Sequence, residues 1–153
     1  MPRLSILALL VVSAPAAAGQ IERHVAASSG ATVLVGATVP AGMQLTFYSA
    51  KLPAIDGSTE RQALNIFDKL EKTLAKQGLT FRDVVKINVS LVAPPGQTRP
   101  DYDGFDRAYR TRFGTAAQPQ LVAQSIVQVT GLRDPHHLVA IEVIAASAPP
   151  ASR

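Results

Sequence analysis

The side chains best suited to chemistry lie close together in residues 120–146, QLVAQSIVQVTGLRDPHHLVAIEVIAA. Two apolar runs in this segment carry or adjoin Gln124, Ser125 and Glu142. Glutamine offers both a donor and an acceptor, and a carboxylate can orient or deprotonate a water molecule. The segment is therefore a candidate site for binding a polar small molecule or for hydrolysing one.

The three histidines are weak candidates for a metal site. His136 and His137 could act with His24, but adjacent histidines in a turn rarely point at one ion, so we interpret them as solvated loop residues. Neither Ser49 nor Ser125 has a recognisable nucleophile–base spacing to a histidine, and no phosphate loop or dinucleotide fingerprint is present. We predict no metal and no cofactor.

Composition narrows the class of protein. A chain of 153 residues, 47% apolar and 17% charged, can form one globular domain with a real core. It has no cysteine, which excludes disulfides and thiolate chemistry. The net charge is +4, but the basic residues are scattered and aromatic residues make up only 5%. We therefore expect no nucleic-acid partner.

The first 18 residues are typical of a secretory signal peptide. Arg3 is followed by a short apolar run and then by Ala16-Ala17-Ala18, which suits a signal peptidase. The run is too short to span a bilayer, so no stable membrane anchor is expected. The predicted organisation is a signal peptide (1–18), one domain (19–147) and a disordered tail (148–153), with secretion or periplasmic location after cleavage near Ala18.

Seven elements would position the candidate site, in the order strand, strand, helix, strand, helix, strand, strand. Residues 32–39 and 44–49 are predicted to form a hairpin of two strands. The other predicted strands are residues 84–92, 125–129 and 138–146, with a loop at 130–137.

Local signals mark both helices. Thr59 and Gln62 form a plausible capping box for the first helix, Ser58 is the alternative cap, and Gly78 suits the C-terminal turn. Asp68 and Lys72 are spaced to pair on its exposed face. Pro100 would open the second helix and Gly114 would close it. Its aromatic residues, Phe105, Tyr109 and Phe113, are interpreted as packing residues.

In the strand at 84–92, Lys86, Asn88 and Ser90 alternate with apolar residues. They would point away from helices that cover the other face of the sheet. Such a semi-polar face indicates oligomerisation, with a cleft between subunits.

The order of elements and several phrases resemble the RidA/YjgF family. The matching phrases are TFYSAKLP (46–53), KQGLTFRDVVKINVSLV (76–92), FDRAYRTRFG (105–114), VAQSIVQVTGL (122–132) and VAIEVIAA (139–146). The resemblance implies an α+β, chorismate-mutase-like ββαβαββ fold with two helices on one face of the sheet. It also implies a homotrimeric barrel with a small-molecule ligand in each inter-subunit cleft.

The resemblance implies a chemistry as well. Active members hydrolyse reactive imines and enamines derived from amino acids, without a cofactor. They use an arginine to grip the substrate carboxylate and a glutamate to position water. Here Gln124 stands at the arginine position and Ala140 at the glutamate position. Glu142 lies two residues further on.

Two smaller departures accompany them. Ala50 replaces the usual glycine after Ser49, and Asp106 replaces a common asparagine. The predicted ligand-binding residues are Gln124, Ser49, Ala50, Ser125, Ala140 and Tyr48, with Glu142 and Asp106 as weak catalytic candidates. Packing of an edge strand explains Tyr48 equally well.

Three functions remain open at this point. A charged hydrogen bond contributes roughly 1.5–3 kcal/mol and a general base about 10²–10⁴-fold in rate, so both substitutions together favour loss of the deaminase. The first hypothesis is therefore a binding protein without the family reaction. The second is an active hydrolase of 2-imino acids or of a neutral imine or amide. The third is a structural or holdase-like role.

Overall fold

The computed structural model describes residues 19–25 and 34–149. The predicted signal peptide and residues 150–153 of the predicted tail lie outside this part. The described elements are β1 (Glu22–Val25), β2 (Leu34–Thr38), β3 (Gln44–Lys51), α1 (Thr59–Ala75), a 3₁₀ turn (Phe81–Asp83), β4 (Val84–Leu91), α2 (Tyr102–Arg110), β5 (Ala123–Gln128) and β6 (Val139–Ser147). The predicted α+β architecture is confirmed, with one strand more at the N-terminal side.

The six strands form one mixed sheet in the order β1-β2-β5-β4-β6-β3. β4 lies at the centre, parallel to β5 and antiparallel to β6. The predicted hairpin of the strands now called β2 and β3 is wrong. β2 pairs with β1 and β5, and β3 forms the opposite edge against β6. An apolar alternation identifies a strand but does not select its partner.

The core lies between the sheet and the two helices. Along β4, Ile87, Val89 and Leu91 are buried, whereas Lys86, Asn88 and Ser90 are partly exposed, as predicted. The three aromatic residues of the second helical region pack together, with 4.8 Å between the ring centroids of Tyr109 and Phe113. Phe67 of α1 contacts both phenylalanines of this group, which joins the helices over β4.

Ser58, one of the two predicted N-cap residues, is the N-cap of α1. The Ser58 hydroxyl accepts a hydrogen bond from Arg61 N at 3.3 Å, and Thr59 is the first helical residue, so the predicted Thr59–Gln62 capping box is wrong. Gly78 has the expected positive φ of 71°. The predicted Asp68–Lys72 pair is also replaced, because Asp68 binds Arg112, which lies after α2.

Within the described ranges, no helix is both long and apolar enough to cross a membrane.

Candidate functional site

Gln124 lies on the side of the sheet that the helices cover. It is the β5 partner of Ile87, and its neighbour Ile126 is the partner of Val89. Paired residues of adjacent strands project to the same face, and both partners in β4 are buried under the helices. Gln124 itself is half-buried. Its Oε1 is buried and has no hydrogen-bond partner in the described part of the chain.

Ala140, Glu142 and Ser125 lie on the other face, which we call the open face. Asn88 pairs with Ser125 on one side and with Glu142 on the other, and Ser90 pairs with Ala140. Lys86 Nζ donates to Ser125 Oγ at 3.1 Å, which confirms that these two side chains share a face. Glu142 is exposed there, whereas Ala140 is only 6% exposed. Within one chain, therefore, these residues are separated from Gln124 by the thickness of the sheet.

Ser49 and Ala50 lie at an irregularity of the edge strand β3. The register with β6 shifts between Tyr48 and Lys51, and both Ser49 and Ala50 are exposed at that point. Backbone groups at such a bulge are freed from the regular ladder. They are therefore accessible to a ligand or to another chain.

Tyr48 turns toward the helices instead. It is half-buried and packs against the core, and its hydroxyl is buried without a partner among the described residues. Burial raises the pKa of this phenol, and the negative charge of Asp83 raises it further. These contacts correspond to the edge-strand packing that the sequence left open as an alternative.

Asp106 is half-buried on α2, close enough to Tyr109 to influence its ionisation. Burial is the main reason that the pKa of Tyr109 is raised, and the Asp106 carboxylate adds to the effect. Tyr109 is 1% exposed, and its hydroxyl accepts a hydrogen bond from Val122 N at 3.4 Å. Asp106 therefore lies on the helical layer of the molecule, whereas Glu142 lies on the open face.

The three histidines lie in two separate places. His24 Nε2 lies 2.8 Å from Thr38 Oγ1 between β1 and β2. His137 Nε2 is 3.9 Å from Asp134 Oδ2 in the loop before β6, and His136 is exposed beside it. No group of three or more His, Asp or Glu residues in the described segments is arranged to hold a metal ion.

Sequence reasoning missed the residue that positions the start of β6. Gln62 is fully buried; its Nε2 donates to His136 O at 2.7 Å, and its Oε1 accepts from Leu138 N at 2.7 Å. It thereby holds both sides of the turn that leads to Ala140. A signal was present, because Gln62 lies on the same helical stripe as the buried Ala63 and Ile66.

A second missed residue is Arg23, which anchors β1. Its guanidinium donates to Val84 O at 3.1 Å, to Leu121 O at 2.9 Å and to Arg82 O at 2.6 Å. Burial lowers the pKa of this group. No local pattern in residues 22–25 indicates these three acceptors, which are distant in sequence.

A family model described as Endoribonuclease L-PSP matches residues 13–147. The chain belongs to this family, the RidA/YjgF family. No curated protein matches the chain.

Solved structures of this family show the same fold. A Rid-family protein of unknown function from Yersinia pestis has a TM-score of 0.62 at 15% identity, covering 76% of this chain and 87% of that one. NMB1025 of Neisseria meningitidis, a YjgF-family protein, has a TM-score of 0.58 at 17% identity, with coverages of 85% and 97%. TdcF of E. coli, solved with bound serine, has a TM-score of 0.58 at 21% identity, with coverages of 68% and 81%.

Proposed function

We propose that this protein is an exported, homotrimeric member of the RidA/YjgF family that binds a small molecule in an inter-subunit cleft, with the imine/enamine deaminase activity lost or altered. One observation carries the proposal: Gln124 and Ala140 occupy the positions where the family resemblance implies an arginine and a glutamate. Within the described chain, no charged side chain is hydrogen-bonded to Gln124 Oε1, and Glu142 lies on the opposite face of the sheet.

The chemistry of the two substitutions supports this proposal. Glutamine lacks the rigid, charged two-pronged donor with which arginine holds a carboxylate. Alanine can neither orient nor deprotonate water. The first loss corresponds to roughly ten- to hundredfold in carboxylate binding, and the second to about 10²–10⁴-fold in rate.

A deaminase assay on freshly generated 2-aminoacrylate and 2-iminobutanoate tests the loss of activity. We expect turnover at least about 10³-fold below that of a relative that retains the arginine and the glutamate. The double variant Gln124→Arg, Ala140→Glu should raise turnover at least about tenfold above that of the wild type. The double variant Gln124→Lys, Ala140→Gln should not raise it. Circular dichroism confirms that each variant is folded. Wild-type turnover comparable to the relative's would refute the proposal.

One observation favours a second candidate function. The unpaired Oε1 of Gln124 is an acceptor, which suits a ligand that presents an N–H group rather than an anion. An active hydrolase of a neutral imine or amide would use it, with Asp106, or Glu142 of a neighbouring subunit, assisting water. Release of ammonia from neutral imines, abolished by Glu142→Gln or Asp106→Asn, would establish this alternative over simple binding.

The open face supports the homotrimer. Phe47 is 71% exposed and Val127 is 53% exposed, which is unusual for large apolar side chains on an isolated subunit. We expect native mass spectrometry to show a trimer that Phe47→Lys dissociates. The control is Arg110→Gln, a change on the exposed side of α2. A monomeric wild-type protein at micromolar concentration would exclude an inter-subunit cleft.

Export is tested separately. In cells fractionated after expression of the full chain, we expect the mature protein outside the cytoplasm with an N-terminus near Gly19 or Gln20. Protein that stays in the cytoplasmic fraction with Met1 still attached would contradict export. This outcome would leave the proposal for the inter-subunit cleft unaffected.

The family description names an endoribonuclease, and we do not extend this activity to the chain. Arg107 and Arg112 are ion-paired with Glu60 and Asp68, and the basic residues of the sequence are scattered. Binding of RNA generally requires a concentrated basic surface or a stacking platform.

A further inference from the structure

A row of polar side chains crosses three neighbouring strands on the open face. Ser125 of β5, Asn88 of β4 and Glu142 of β6 are paired in register, and Lys86 lies two residues before Asn88 on the same face. Neighbouring strands are about 4.8 Å apart, so the row from Ser125 to Glu142 spans roughly 10 Å. The row offers an ammonium group, a hydroxyl, an amide and a carboxylate to a molecule that lies against this face.

Lys86 supplies the free positive charge of this row. It is half-buried, and its Nζ donates to Ser125 Oγ at 3.1 Å. The other two basic residues of the described strands do not compete with it. Arg23 is held by three backbone carbonyls, and Lys51 pairs with the buried Ile141 on the side of the helices. The ammonium group of Lys86 is therefore held at one place on the open face, beside Ser125.

The bond between Lys86 and Ser125 leaves donors available to a ligand. An ammonium group has three N–H donors, and the bond to Ser125 uses one of them. Because the Ser125 oxygen accepts this bond, its own hydrogen is free to be donated to a third group. The amide of Asn88 on the next strand adds a further donor. A carboxylate accepts several hydrogen bonds and pairs strongly with a charged donor, so it is the group that these side chains recognise best.

The alanine at position 140 favours an anion on this face as well. Ala140 shares the face, and the family resemblance implies a glutamate there. With that glutamate, two carboxylates would stand near one ammonium group. With alanine, Glu142 alone remains, because the other acidic residue of the described strands, Glu22, lies on β1, three strands from β4. Removing one negative charge lowers the repulsion that a bound anion would meet.

We propose that Lys86, together with Ser125, holds the carboxylate of a small ligand in place of the residue at position 124. This inference rests on the inter-subunit cleft of the proposed function, and it assigns the anion-binding wall of that cleft to the open face. Gln124 lies on the other face of its own sheet, so a Gln124 that meets the same ligand belongs to a neighbouring subunit. Lys86 is thus a binding residue outside the two positions that carry the family chemistry.

Two probes of equal size test this anchor in the ¹⁵N-labelled mature protein. We expect butanoate to produce saturable shifts at the backbone amides of Lys86, Ser125 and Glu142. Butanamide has the same shape but no charge, and it should bind at least about tenfold more weakly. Equal binding of the two probes would overturn the proposal, as would the absence of saturable shifts with butanoate. Saturable binding of butanamide alone would leave the cleft in place and remove the carboxylate anchor.

Matched variants locate the positive charge. Lys86→Met keeps the length of the side chain but removes its charge, so it should weaken butanoate binding about tenfold or more. Lys86→Arg keeps the charge and should retain most of the binding. Lys72→Met, the same change at an exposed lysine of α1, should have no effect. Ser125→Ala should weaken butanoate binding by a smaller factor than Lys86→Met.

Native mass spectrometry of each variant separates this inference from the proposed function. A monomeric wild-type protein would refute the inter-subunit cleft itself. A trimer in which Lys86→Met binds butanoate as well as the wild type does would refute only the anchor. Full binding in Lys86→Met together with loss of binding in Gln124→Leu would return the carboxylate to position 124 and overturn the proposal.

Discussion

Gln62 and Gln124 occupy opposite situations in this molecule. Gln62 on α1 uses both ends of its amide, with hydrogen bonds of 2.7 Å to His136 O and from Leu138 N. Gln124 on β5 is half-buried, and its Oε1 has no partner in the described chain. The residue type is the same, but only the first side chain completes the hydrogen bonding of the backbone around it.

The difference separates a structural role from a ligand-binding one. A buried polar group that is fully satisfied within its own chain contributes to folding and has no capacity left for a ligand. A buried acceptor without a partner destabilises the isolated chain and gains most from a donor brought by a ligand or another subunit. On this criterion Gln62 positions the loop before β6, and Gln124 remains the better site residue.

The largest effect is expected for Gln62→Leu. This change leaves Leu138 N buried without a partner and removes the donor from the part-buried bond to His136 O, and each lost partner costs roughly 1–3 kcal/mol. We expect the free energy of unfolding to fall by about 2–5 kcal/mol in urea denaturation. Gln62→Glu keeps an acceptor for Leu138 N but loses the donor to His136 O and buries an unpaired negative charge, so it should not restore the stability lost in Gln62→Leu. A loss below about 0.5 kcal/mol for Gln62→Leu would remove its structural role.

A much smaller effect is expected for Gln124→Leu. The replacement has a similar size and removes the acceptor that lacks a partner, so the unfolding free energy should change by less than about 1 kcal/mol. Ligand binding in the inter-subunit cleft should nevertheless weaken, as measured by the shift of melting temperature that the ligand produces. A destabilisation as large as that of Gln62→Leu would mean that Gln124 is also a structural residue.

The same contrast explains what the sequence could predict. The strands from β2 onward, the helices, the left-handed Gly78 and the alternation along β4 follow from local periodicity and cap residues and were predictable, whereas β1 was not predicted. The β2–β3 hairpin was predicted wrongly because a turn at residues 40–42 is compatible with several strand partners. The ion pair of Asp68 with Arg112, and the bonds of Arg23, join residues 44 to 98 positions apart and leave no local signal.

The candidate site was only partly predictable. The family phrases indicated that Gln124 and Ala140 replace reactive residues, but not that the strand register puts them on opposite faces of one sheet. Face assignment depends on the parity of the register, which a single inserted or deleted residue in the preceding loop reverses.

The smallest predicted effect is on the pH dependence of the unfolding free energy. It concerns two tyrosines, of which one has a hydrogen-bonded hydroxyl and the other does not. Burial raises the pKa of both Tyr109, whose hydroxyl accepts from Val122 N, and Tyr48, whose buried hydroxyl has no partner. A raised pKa means that the folded state keeps its proton when the unfolded state has lost it. The stabilisation is therefore fully present below the unfolded pKa of about 10 and is lost as the pH rises through the folded value.

Urea denaturation between about pH 8 and 11 measures this loss. Because phenylalanine has no ionisable group, the alkaline decline in unfolding free energy should become less steep in Tyr109→Phe and in Tyr48→Phe. The absolute effects should differ at pH 8. Tyr109→Phe removes the acceptor of Val122 N and should destabilise, whereas Tyr48→Phe removes only an unpaired hydroxyl and should be neutral or stabilising. Parallel pH profiles in all three proteins would show that neither phenol is linked to folding. Equal destabilisation by both variants at pH 8 would mean that the Tyr48 hydroxyl has a partner in the assembled protein.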